Sequence, residues 1–572
     1  MIDLASERAQ ALVDRAARGA MGRRRFLELA TQAGIAGLIS SELAGTALAA
    51  GANQRANRAG LNAAYDYIIV GAGAAGCIIA ARLAEAGAQV LLLEAGGEDV
   101  GKQIDDPSIW YTNISGPLDW AFPTVPTAAL NGRSIPIGAG RVLGGGTSIN
   151  ASLWVHGFQQ DFDNWAYDGC SGWSYADILP IYRSLEDWEG GANEWRGAGG
   201  PMHVCLPNNP HPTAQAWLEA SRQMGIPVLD DMNAPMREGA GYTNMSINRD
   251  GSRASASRAY LRPALGRPNL TLLTGAIVRK LRFTGTRCIG VDVVVGDAAK
   301  AVGAKEVIVC AGGVGSAHLL MLSGLGDTDA LRQHGIAPQQ HLPGVGENFQ
   351  DHPLLEGVIF GYKGPMPPPS AGSNAVEATS FVRSAPSLAC PDLQPVLIQL
   401  PVMTAALKKT YGEVTVPSFT IAPGVVRPSG RGWVRLASAD YRDKPLLNSG
   451  FLSTSADLEA AVRCIEICRE LGHQKAFAEI TTGELIPGVK MTRDEIAHFA
   501  RDCATSYYHP VGTCKMGTDS LAVVDPQLRV YGVEGLRVCD SSIMPTITTG
   551  NTNAPSQMIG AKAAQMILAA AA

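Results

Sequence analysis

The chain has 572 residues, of which 46% are hydrophobic and 17% are charged, and its formal net charge is -5. This composition suits a globular protein of roughly two to four domains and excludes a chain that is disordered throughout. The acidic balance and the lack of a long basic run disfavour nucleic acid and anionic membrane surfaces as partners.

The first predicted element is an export signal. Arg23-Arg24-Arg25-Phe26-Leu27 precedes an apolar stretch of small residues at 29–43, and Ala47-Leu48-Ala49 offers a small-x-small cleavage site. This order predicts a twin-arginine signal peptide over residues 1–49, and a mature protein that is periplasmic or secreted. The alternative is an ordinary amphipathic first helix. The apolar stretch is shorter than the roughly 20 residues that cross a bilayer, and no other segment predicts a stable membrane span.

A strand–turn–helix–strand unit follows. Asp66–Val70 is a short buried-strand pattern that leads into a GxGxxG motif at 71–76 and then a helical pattern. In a dinucleotide site the first glycine makes the turn, the second admits the pyrophosphate and the third packs the helix on the strand. A second strand, at 89–93, ends in Glu94, near the spacing expected for a carboxylate that binds ribose hydroxyls. The glycines alone would match by chance in so Gly-rich a chain, so the order of elements carries the prediction.

Two later segments favour FAD over NAD as the dinucleotide. A strand-like run at 306–310 ends in Ala311-Gly312-Gly313, which resembles the return of the chain to the cofactor in FAD proteins. The segment 140–150 contains three consecutive glycines followed by hydroxyls and an amide. Such a loop exposes backbone N–H groups that can surround a polar ligand edge and its phosphate tail. The sequence therefore predicts FAD as the cofactor.

The same loop belongs to a longer pattern. Residues 140–157 resemble the first signature of the glucose–methanol–choline (GMC) oxidoreductases. Residues 312–326 are similar to the second signature of that family, although Gly313 stands where another small residue is usual. The stretches 344–353 and 508–565 are also similar to the family, so the resemblance covers nearly all of the predicted mature chain.

The resemblance implies an α/β fold, with a Rossmann-like FAD-binding domain of the p-hydroxybenzoate hydroxylase type and an α+β substrate domain built on an antiparallel sheet. It implies an FAD-binding domain with inserted substrate-domain segments at 62–353 and a substrate-binding domain at 354–504. A C-terminal segment at 505–572 would return to the FAD domain with the catalytic residues.

Local patterns in the middle of the chain agree in part with that division. Short strands are predicted at 397–400, 418–421 and 433–436, and a helix is predicted at 456–471. A Pro-rich segment at 364–369 is either an active-site lid or a plain surface connection.

The resemblance also implies how FAD is held. Ile149 stands where some family members carry a histidine bonded to the flavin, and an alkyl side chain cannot form that bond, so non-covalent FAD is expected. Asp540 resembles an acid at a strand end that contacts the ribityl chain or phosphate. The predicted cofactor-binding residues are Gly71, Gly73, Ala74, Ala75, Gly76, Glu94, Ala95, Arg141, Gly145, Gly146, Thr147, Asn150, Ala151, Val278, Ala311, Gly312, Asp540 and Asn553.

Flavin-dependent alcohol oxidation needs a base for the hydroxyl proton, a donor to the developing alkoxide and alignment of the α-carbon with flavin N5. His509 lies in a short apolar and Gly-rich turn, where imidazole is a natural general base. Residues 550–555 place amides at the start of a helix predicted at 556–570. By the resemblance, His509 aligns with the catalytic histidine of the family and Asn553 with its His-or-Asn partner. On its own, Asn553 would be a helix cap.

Three other histidines fall within the matched motifs: His156, His318 and His352. We expect packing or backbone-supporting roles for them.

The predicted function is oxidation of a CH–OH group by FAD, with oxygen, a quinone or a cytochrome as the electron acceptor. One alternative is a hydroxynitrile lyase of the same fold, and another is a flavin-binding protein without activity. A light-driven decarboxylase is rejected because 419–424 lacks the cysteine that this activity uses. Sugar, aryl, aliphatic and choline-like alcohols stay open as substrates, with choline disfavoured because no aromatic-plus-acid cage stands out.

The 11 cysteines show no CxxC spacing and no Cys/His cluster typical of a zinc site. Their odd number argues against a fully paired disulfide framework. We therefore expect most of them to be buried free thiols, and we expect no metal site.

Overall fold

The computed structural model describes residues 9, 12–13, 15–16, 21–32, 41–59, 64–234 and 238–571. The strands of the two main sheets are, in chain order, β1 (Ala64–Val70), β2 (Val90–Glu94), β3 (Gly239–Tyr242), β4 (Leu270–Thr274), β5 (Ala276–Thr284), β6 (Arg287–Val295), β7 (Ala298–Val309), β8 (Ile359–Tyr362), β9 (Ala378–Phe381), β10 (Val396–Ile398), β11 (Ser418–Ala422), β12 (Thr481–Ile486) and β13 (Leu536–Val538). The α-helices of nine residues or more in the described ranges are α1 (Arg23–Gln32), α2 (Ser41–Ala59), α3 (Ala74–Glu85), α4 (Gln159–Tyr167), α5 (Tyr175–Leu185), α6 (Pro212–Gln223), α7 (Gly312–Leu322), α8 (Ser455–Gly472), α9 (Arg493–Cys503) and α10 (Asn553–Ala571).

The first sheet has seven strands in the order β4-β2-β1-β7-β6-β5, with β13 also pairing to β7. Strands β4, β2, β1, β7 and β13 run parallel, whereas β6 and β5 are antiparallel. Ile69 lies opposite Leu92 and Ile308, and all three side chains are fully buried. Parallel strands that are covered on both faces give continuous apolar runs rather than alternation. The carboxyl ends of β1, β2 and β7 therefore meet at one edge, where open α/β sheets bind ligands.

Glycine backbones hold α3 against β1. Gly71 has φ +102°, and a Cβ there would lie 2.3 Å from the carbonyl oxygen of Cys310. A Cβ at Gly76 would lie 2.0 Å from the carbonyl oxygen of Gly71. Any larger residue would push the helix off the strand, so the third glycine of the motif has the packing role that its spacing predicted.

The second sheet is antiparallel, in the order β12-β8-β11-β10-β9-β3. Phe360 of β8 pairs with Phe419 of β11, and their rings stack with centroids 5.9 Å apart. Helix α6 packs against β3, β9 and β10, and α8 packs against β11. Strand β3 precedes β4 in the chain, so this sheet takes one strand from within the segment predicted as the FAD-binding domain. The predicted domain boundaries themselves stay a prediction.

Most of the predicted elements are present. Helix α8 covers the helix predicted at 456–471, and α10 contains the one predicted at 556–570 but begins three residues earlier. The strand predicted at 433–436 forms at Trp433–Arg435, but it pairs with Leu446–Asn448 in a separate two-stranded sheet. It therefore does not belong to the substrate sheet.

All 11 cysteines are free thiols and nine of them are buried, as the composition predicted. None of the described helices is long and apolar enough to cross a membrane. Among the described residues, no group of three or more His, Cys, Asp or Glu side chains is placed to hold a metal ion.

Helix α2 covers the open edge of the first sheet with side-chain amides. Gln54 is fully buried, its Nε2 donates to the carbonyl oxygens of Leu265 and Leu270, and its Oε1 accepts from the N–H of Leu272 at 3.0 Å. Asn57 donates to the Leu270 carbonyl as well. An edge strand exposes unpaired N–H and C=O groups, and these amides satisfy those of β4.

We expect Gln54→Ala to weaken the attachment of α2 to β4. The substitution leaves the Leu272 N–H without its side-chain partner, which costs about 1–3 kcal/mol, while the Leu265 and Leu270 carbonyls keep the amides of Asn53 and Asn57. Hydrogen–deuterium exchange of peptides that cover 268–275 should speed up, while exchange of β1 peptides should stay slow. Ala52→Ser, at an exposed position on the same helix, is the control. Unchanged exchange at 268–275 in Gln54→Ala would show that the amides do not protect this edge.

Candidate active site

A cavity of about 390 Å³ runs from the carboxyl ends of β1, β2 and β7 to the face of β10. Val70, Glu94 and Cys310 line the first end, and Val396 and Ile398 of β10 line the other. The cavity therefore joins the edge expected to bind a dinucleotide to the antiparallel sheet.

The dinucleotide end has a floor of glycine backbone. A Cβ at Gly145 would lie 2.8 Å from Cα of Gly73, so the two loops touch through their backbones. A Cβ at Gly73 would meet no protein atom within 4 Å, because it would point into the cavity. Helix α3 begins at Ala74, and its first N–H groups lack partners within the helix. This combination fits the pyrophosphate of a dinucleotide such as FAD.

Glu94 lies at the end of β2, where the sequence predicts it, and its carboxylate is held by two backbone groups. Oε2 accepts from the N–H of Ala72 at 2.9 Å and Oε1 from the N–H of Gly96 at 2.7 Å. Burial raises the pKa of the Glu94 carboxyl to about 7, against the opposing effect of those hydrogen bonds. The side chain lines the cavity, so the geometry is compatible with the predicted contact to ribose hydroxyls.

The structure brings most of the predicted cofactor residues to this cavity. Those that line it are Gly71, Gly73, Ala74, Ala75, Glu94, Ala95, Gly145, Gly146, Thr147, Asn150, Ala151, Val278, Ala311, Gly312, Asp540 and Asn553. Ile149 lines it as well. Gly76 does not, because it packs on Gly71. Arg141 does not either, because its guanidinium is exposed and lies 4.8 Å from the centre of the Trp120 ring.

Asp540 ties the end of β13 to the start of α7. Its Oδ2 accepts from the Gly312 N–H at 2.8 Å and from the Ser316 hydroxyl at 2.5 Å, and its Oδ1 accepts from the Ser542 N–H. Burial raises the pKa of this carboxyl. The carboxylate thus fixes the glycine loop at the cavity wall. A hydrogen bond from the cofactor to Asp540 would therefore go to an oxygen that already accepts one from the protein.

The C-terminal segment is packed against the same loop. A Cβ at Gly313 would lie 2.1 Å from the carbonyl oxygen of Pro510, the residue after His509. Only glycine therefore fits at position 313 in this structure. This contact sets His509 at the cavity wall.

His509 is buried and both of its ring nitrogens have partners. Nε2 lies 3.2 Å from Nδ2 of Asn551, and Nδ1 lies 2.9 Å from Nδ1 of His352. Gln394 donates to Oδ1 of Asn551 at 3.0 Å, which in this arrangement turns the Asn551 amide N–H₂ towards His509. Nε2 is then an acceptor, and the imidazole proton lies between the two histidines. Burial lowers the pKa of His509 to about 3, so the ring is neutral at pH 7.

Two neighbours fix the position of this imidazole. Oδ1 of Asp351 accepts from the backbone N–H of His509 at 2.9 Å and from that of His352 at 2.7 Å. Burial raises the pKa of the Asp351 carboxyl to about 7. The ring of Tyr507 stacks on His509, with centroids 5.0 Å apart and planes at 25°.

Sequence reasoning missed Asn551 and His352 as partners of His509. Asn551 lies two residues before the predicted Asn553, so the segment 550–555 contains two amide side chains that could contact His509. Asn553 lines the cavity, but it is the first residue of α10 and its Oδ1 accepts from Gln557 at 2.9 Å. The catalytic role of Asn553 stays a prediction, and the geometry favours Asn551. His352 could have been found only through its place in the motif at 344–353.

The far end of the cavity is apolar, and the Pro-rich segment at 364–369 does not line it. That segment instead holds a surface contact, because the carbonyl oxygen of Pro367 accepts from Nε2 of His211 at 3.1 Å. In this structure it is a connection rather than a lid.

Comparisons with known proteins agree with this geometry. The family models of GMC oxidoreductases match residues 65–354 with the N-terminal module and 428–560 with the C-terminal module. The chain is 40% identical to choline dehydrogenase, mitochondrial, of Homo sapiens, over 88% of this chain and 89% of that one. It is 39% identical to oxygen-dependent choline dehydrogenase of Brucella ovis, over 88% of this chain and 95% of that one. The crystal structure of pyridoxine 4-oxidase from Mesorbium loti is similar with a TM-score of 0.84, at 32% identity over 88% of this chain and 99% of that one.

The chain belongs to the GMC oxidoreductase family. It is an FAD-dependent oxidoreductase that acts on the CH–OH group of an alcohol. The predicted family, fold class and reaction are confirmed.

We expect Gly73→Ala and Gly76→Ala to separate cofactor binding from folding. The Cβ at position 73 enters only the cavity, so that variant should fold normally but bind FAD at least about tenfold more weakly, because its methyl group occupies the space of the pyrophosphate. The Cβ at position 76 strikes the Gly71 carbonyl and should lower thermal stability.

Circular dichroism of the apoprotein and FAD titration by fluorescence quenching measure the two effects. Wild-type FAD affinity in a folded Gly73→Ala protein would contradict the assignment of this space to the cofactor.

Proposed function

We propose that His509 accepts the hydroxyl proton of the alcohol at Nε2, with Asn551 as the donor to the same oxygen. The observation that carries this is the 3.2 Å contact between His509 Nε2 and Asn551 Nδ2 at the cavity wall. A substrate hydroxyl placed beside this pair, within hydrogen-bond distance of both nitrogens, meets an acceptor for its proton and a donor for its oxygen. Both are the groups that alkoxide formation requires.

The state of His509 favours this role. Since burial lowers its pKa to about 3, the imidazole is unprotonated and available as a base at neutral pH. Nδ1 of His352 accepts a hydrogen bond from the protonated Nδ1 of His509. The lone pair of His509 is therefore on Nε2, on the side of Asn551.

The bound FAD supplies the hydride acceptor at N5. The chain's own contribution is orientation: Tyr507 stacks on the base, and residues 551–553 present the start of α10 to the cavity. The positive end of that helix favours negative charge beside it.

FAD is held without a covalent bond in this proposal. Ile149 lines the cavity at the position of the histidine that some family members link to the flavin, and its side chain cannot form such a bond. The glycine loops and Glu94 then hold the FAD.

The reduced cofactor passes its electrons to oxygen, to a quinone or to a cytochrome. Oxygen appears in the name of the Brucella ovis relative, and the Mesorbium loti protein is an oxidase. A predicted export signal favours a quinone or cytochrome, which the cell envelope supplies. Rates measured with oxygen and with an artificial acceptor on the same preparation distinguish these classes.

We expect His509→Ala to lower kcat/KM by roughly 10²–10⁴-fold, because the base is lost, while the absorbance of bound FAD stays unchanged. Asn551→Ala should lower kcat/KM by about 10²-fold through loss of the donor. The matched control Asn553→Ala, two residues away, should lose less than about tenfold.

The measurements are steady-state kinetics and anaerobic bleaching of the flavin by an alcohol panel. A larger loss of kcat/KM in Asn553→Ala than in Asn551→Ala would favour Asn553 as the partner of His509, as predicted from the sequence. A flavin that no alcohol bleaches would favour the lyase.

We further propose export by the twin-arginine route to the periplasm or beyond. Arg24, in the motif at 23–27, is 94% exposed on α1 and accessible to an export receptor. Cleavage after Ala49 would leave Gln54 and its contacts with β4 in the mature protein.

Replacing both Arg23 and Arg24 by lysine keeps the charge and removes the guanidinium pair. We expect the precursor to accumulate in the cytoplasm, whereas the control Arg25→Lys, at the variable position of the motif, should be exported. Immunoblots of cell fractions from a bacterial host measure this. Equal export of the double variant and the wild type would contradict the proposal.

A further inference from the structure

The substrate end of the cavity is built from apolar side chains. Tyr507 contacts His509 and belongs to one packed cluster with Trp110, Leu153, Val376, Val396 and Ile398. All of these residues line the cavity. Whatever group is attached to the reacting carbon must therefore lie against aliphatic carbon and two aromatic rings.

The indole N–H of Trp110 and the amide of Asn374, which adjoins the cluster, are bonded to other parts of the protein, whereas the Tyr507 hydroxyl is buried with no hydrogen-bond partner among the described residues. Nε1 of Trp110 donates to the carbonyl oxygen of Asn374 at 3.1 Å, so the indole presents its carbon edge and face. Oδ1 of Asn374 accepts from the N–H of Val376 at 2.9 Å, and its Nδ2 donates to the Ala151 carbonyl.

The cavity also has no carboxylate at this end. Among the described residues that line it, the carboxylates are Glu94, Asp119, Asp443 and Asp540, and none belongs to the apolar cluster. Asp119 accepts from the N–H groups of Ser115, Ala121 and Ala139. Asp443 is exposed and accepts from Ser438.

Two buried carboxylates adjoin cavity residues in the chain but do not line the cavity. Asp351 is committed to the backbone N–H groups of His352 and His509 and to the Ser506 hydroxyl. Glu377 follows Val376 in the chain, and its Oε2 accepts from the His211 N–H. Neither lines the cavity.

A cation placed against this wall would lose its hydration and gain no counter-charge. Two aromatic faces recover part of that loss through cation–π attraction, but a buried charge without an opposite charge stays unfavourable. An uncharged group of the same shape gains from the same burial. Charge, rather than size, is therefore what this wall discriminates.

We propose that the substrate is an uncharged alcohol with an apolar aliphatic or aryl group, and that the quaternary ammonium alcohol named by the similar dehydrogenases is rejected at this wall. This inference rests on the alcohol oxidation proposed above. It assigns specificity to the cluster formed by Trp110, Leu153, Val376, Val396, Ile398 and Tyr507.

The test compares choline with its neutral carbon isostere, 3,3-dimethyl-1-butanol, on the FAD-loaded full-length enzyme. The two differ in charge at nearly constant shape. We expect kcat/KM for the isostere to exceed that for choline by roughly 100-fold, since an unpaired cation in an apolar wall loses at least that factor. A kcat/KM for choline that equals or exceeds that of the isostere would overturn the inference and leave the alcohol oxidation intact.

Ile398→Glu, with Ile398→Gln as the matched neutral control, tests the wall itself. In folded protein with a normal FAD spectrum, the glutamate should shift the ratio towards choline by at least about tenfold relative to the glutamine. An unchanged ratio would show that charge at this wall does not set specificity. If neither choline, nor its isostere, nor any other alcohol reduces the flavin of the wild-type enzyme anaerobically, the proposed alcohol oxidation is wrong. That result is distinct from a failure of the proposed substrate preference.

Discussion

Close packing of glycine backbones holds the two halves of the active site together. A Cβ at Gly313 would lie 2.1 Å from the Pro510 carbonyl oxygen, and a Cβ at Gly560 of α10 would lie 2.6 Å from Cα of Ala75. These contacts lock the C-terminal segment onto the loop at the end of β7 and onto α3. His509 and Asn551 stand beside a dinucleotide fold from the other end of the chain because these backbones can touch. Interiors packed at this density do not absorb an added methyl group without moving an element.

Burial then decides the chemistry of the site. The same desolvation that lowers the pKa of His509 to about 3 raises those of Asp351 and Glu94 to about 7. Burial thereby shifts each group towards its neutral form, and hydrogen bonds rather than salt bridges fix the three side chains. Burial of this kind favours uncharged groups over charged ones.

The segments that resemble the family and the residues proposed to select the substrate are different parts of this molecule. The glycine loops and the His509 turn are the segments that resemble the family motifs, and both line the cavity. Most of the apolar wall comes from β10, from Val376 and from Trp110, which lie outside the matched signatures, and Leu153 alone of its residues lies within the first one. Similarity over most of the chain to proteins named for choline therefore leaves the substrate of this one open, because a fold hosts many specificities.

The sequence by itself determined the dinucleotide unit, the return of the chain at β7 and the importance of His509. These features depend on short-range order: a glycine spacing, an apolar run of strand length or a turn around one histidine. Only the tertiary structure placed Asn551, rather than Asn553, and His352 against the ring of His509. It also removed Arg141 and Gly76 from the cavity, placed β3 in the second sheet and laid α2 on the edge at β4. Each of these features depends on contacts between residues that are distant in the chain. Local sequence patterns do not show which distant segments pack against each other.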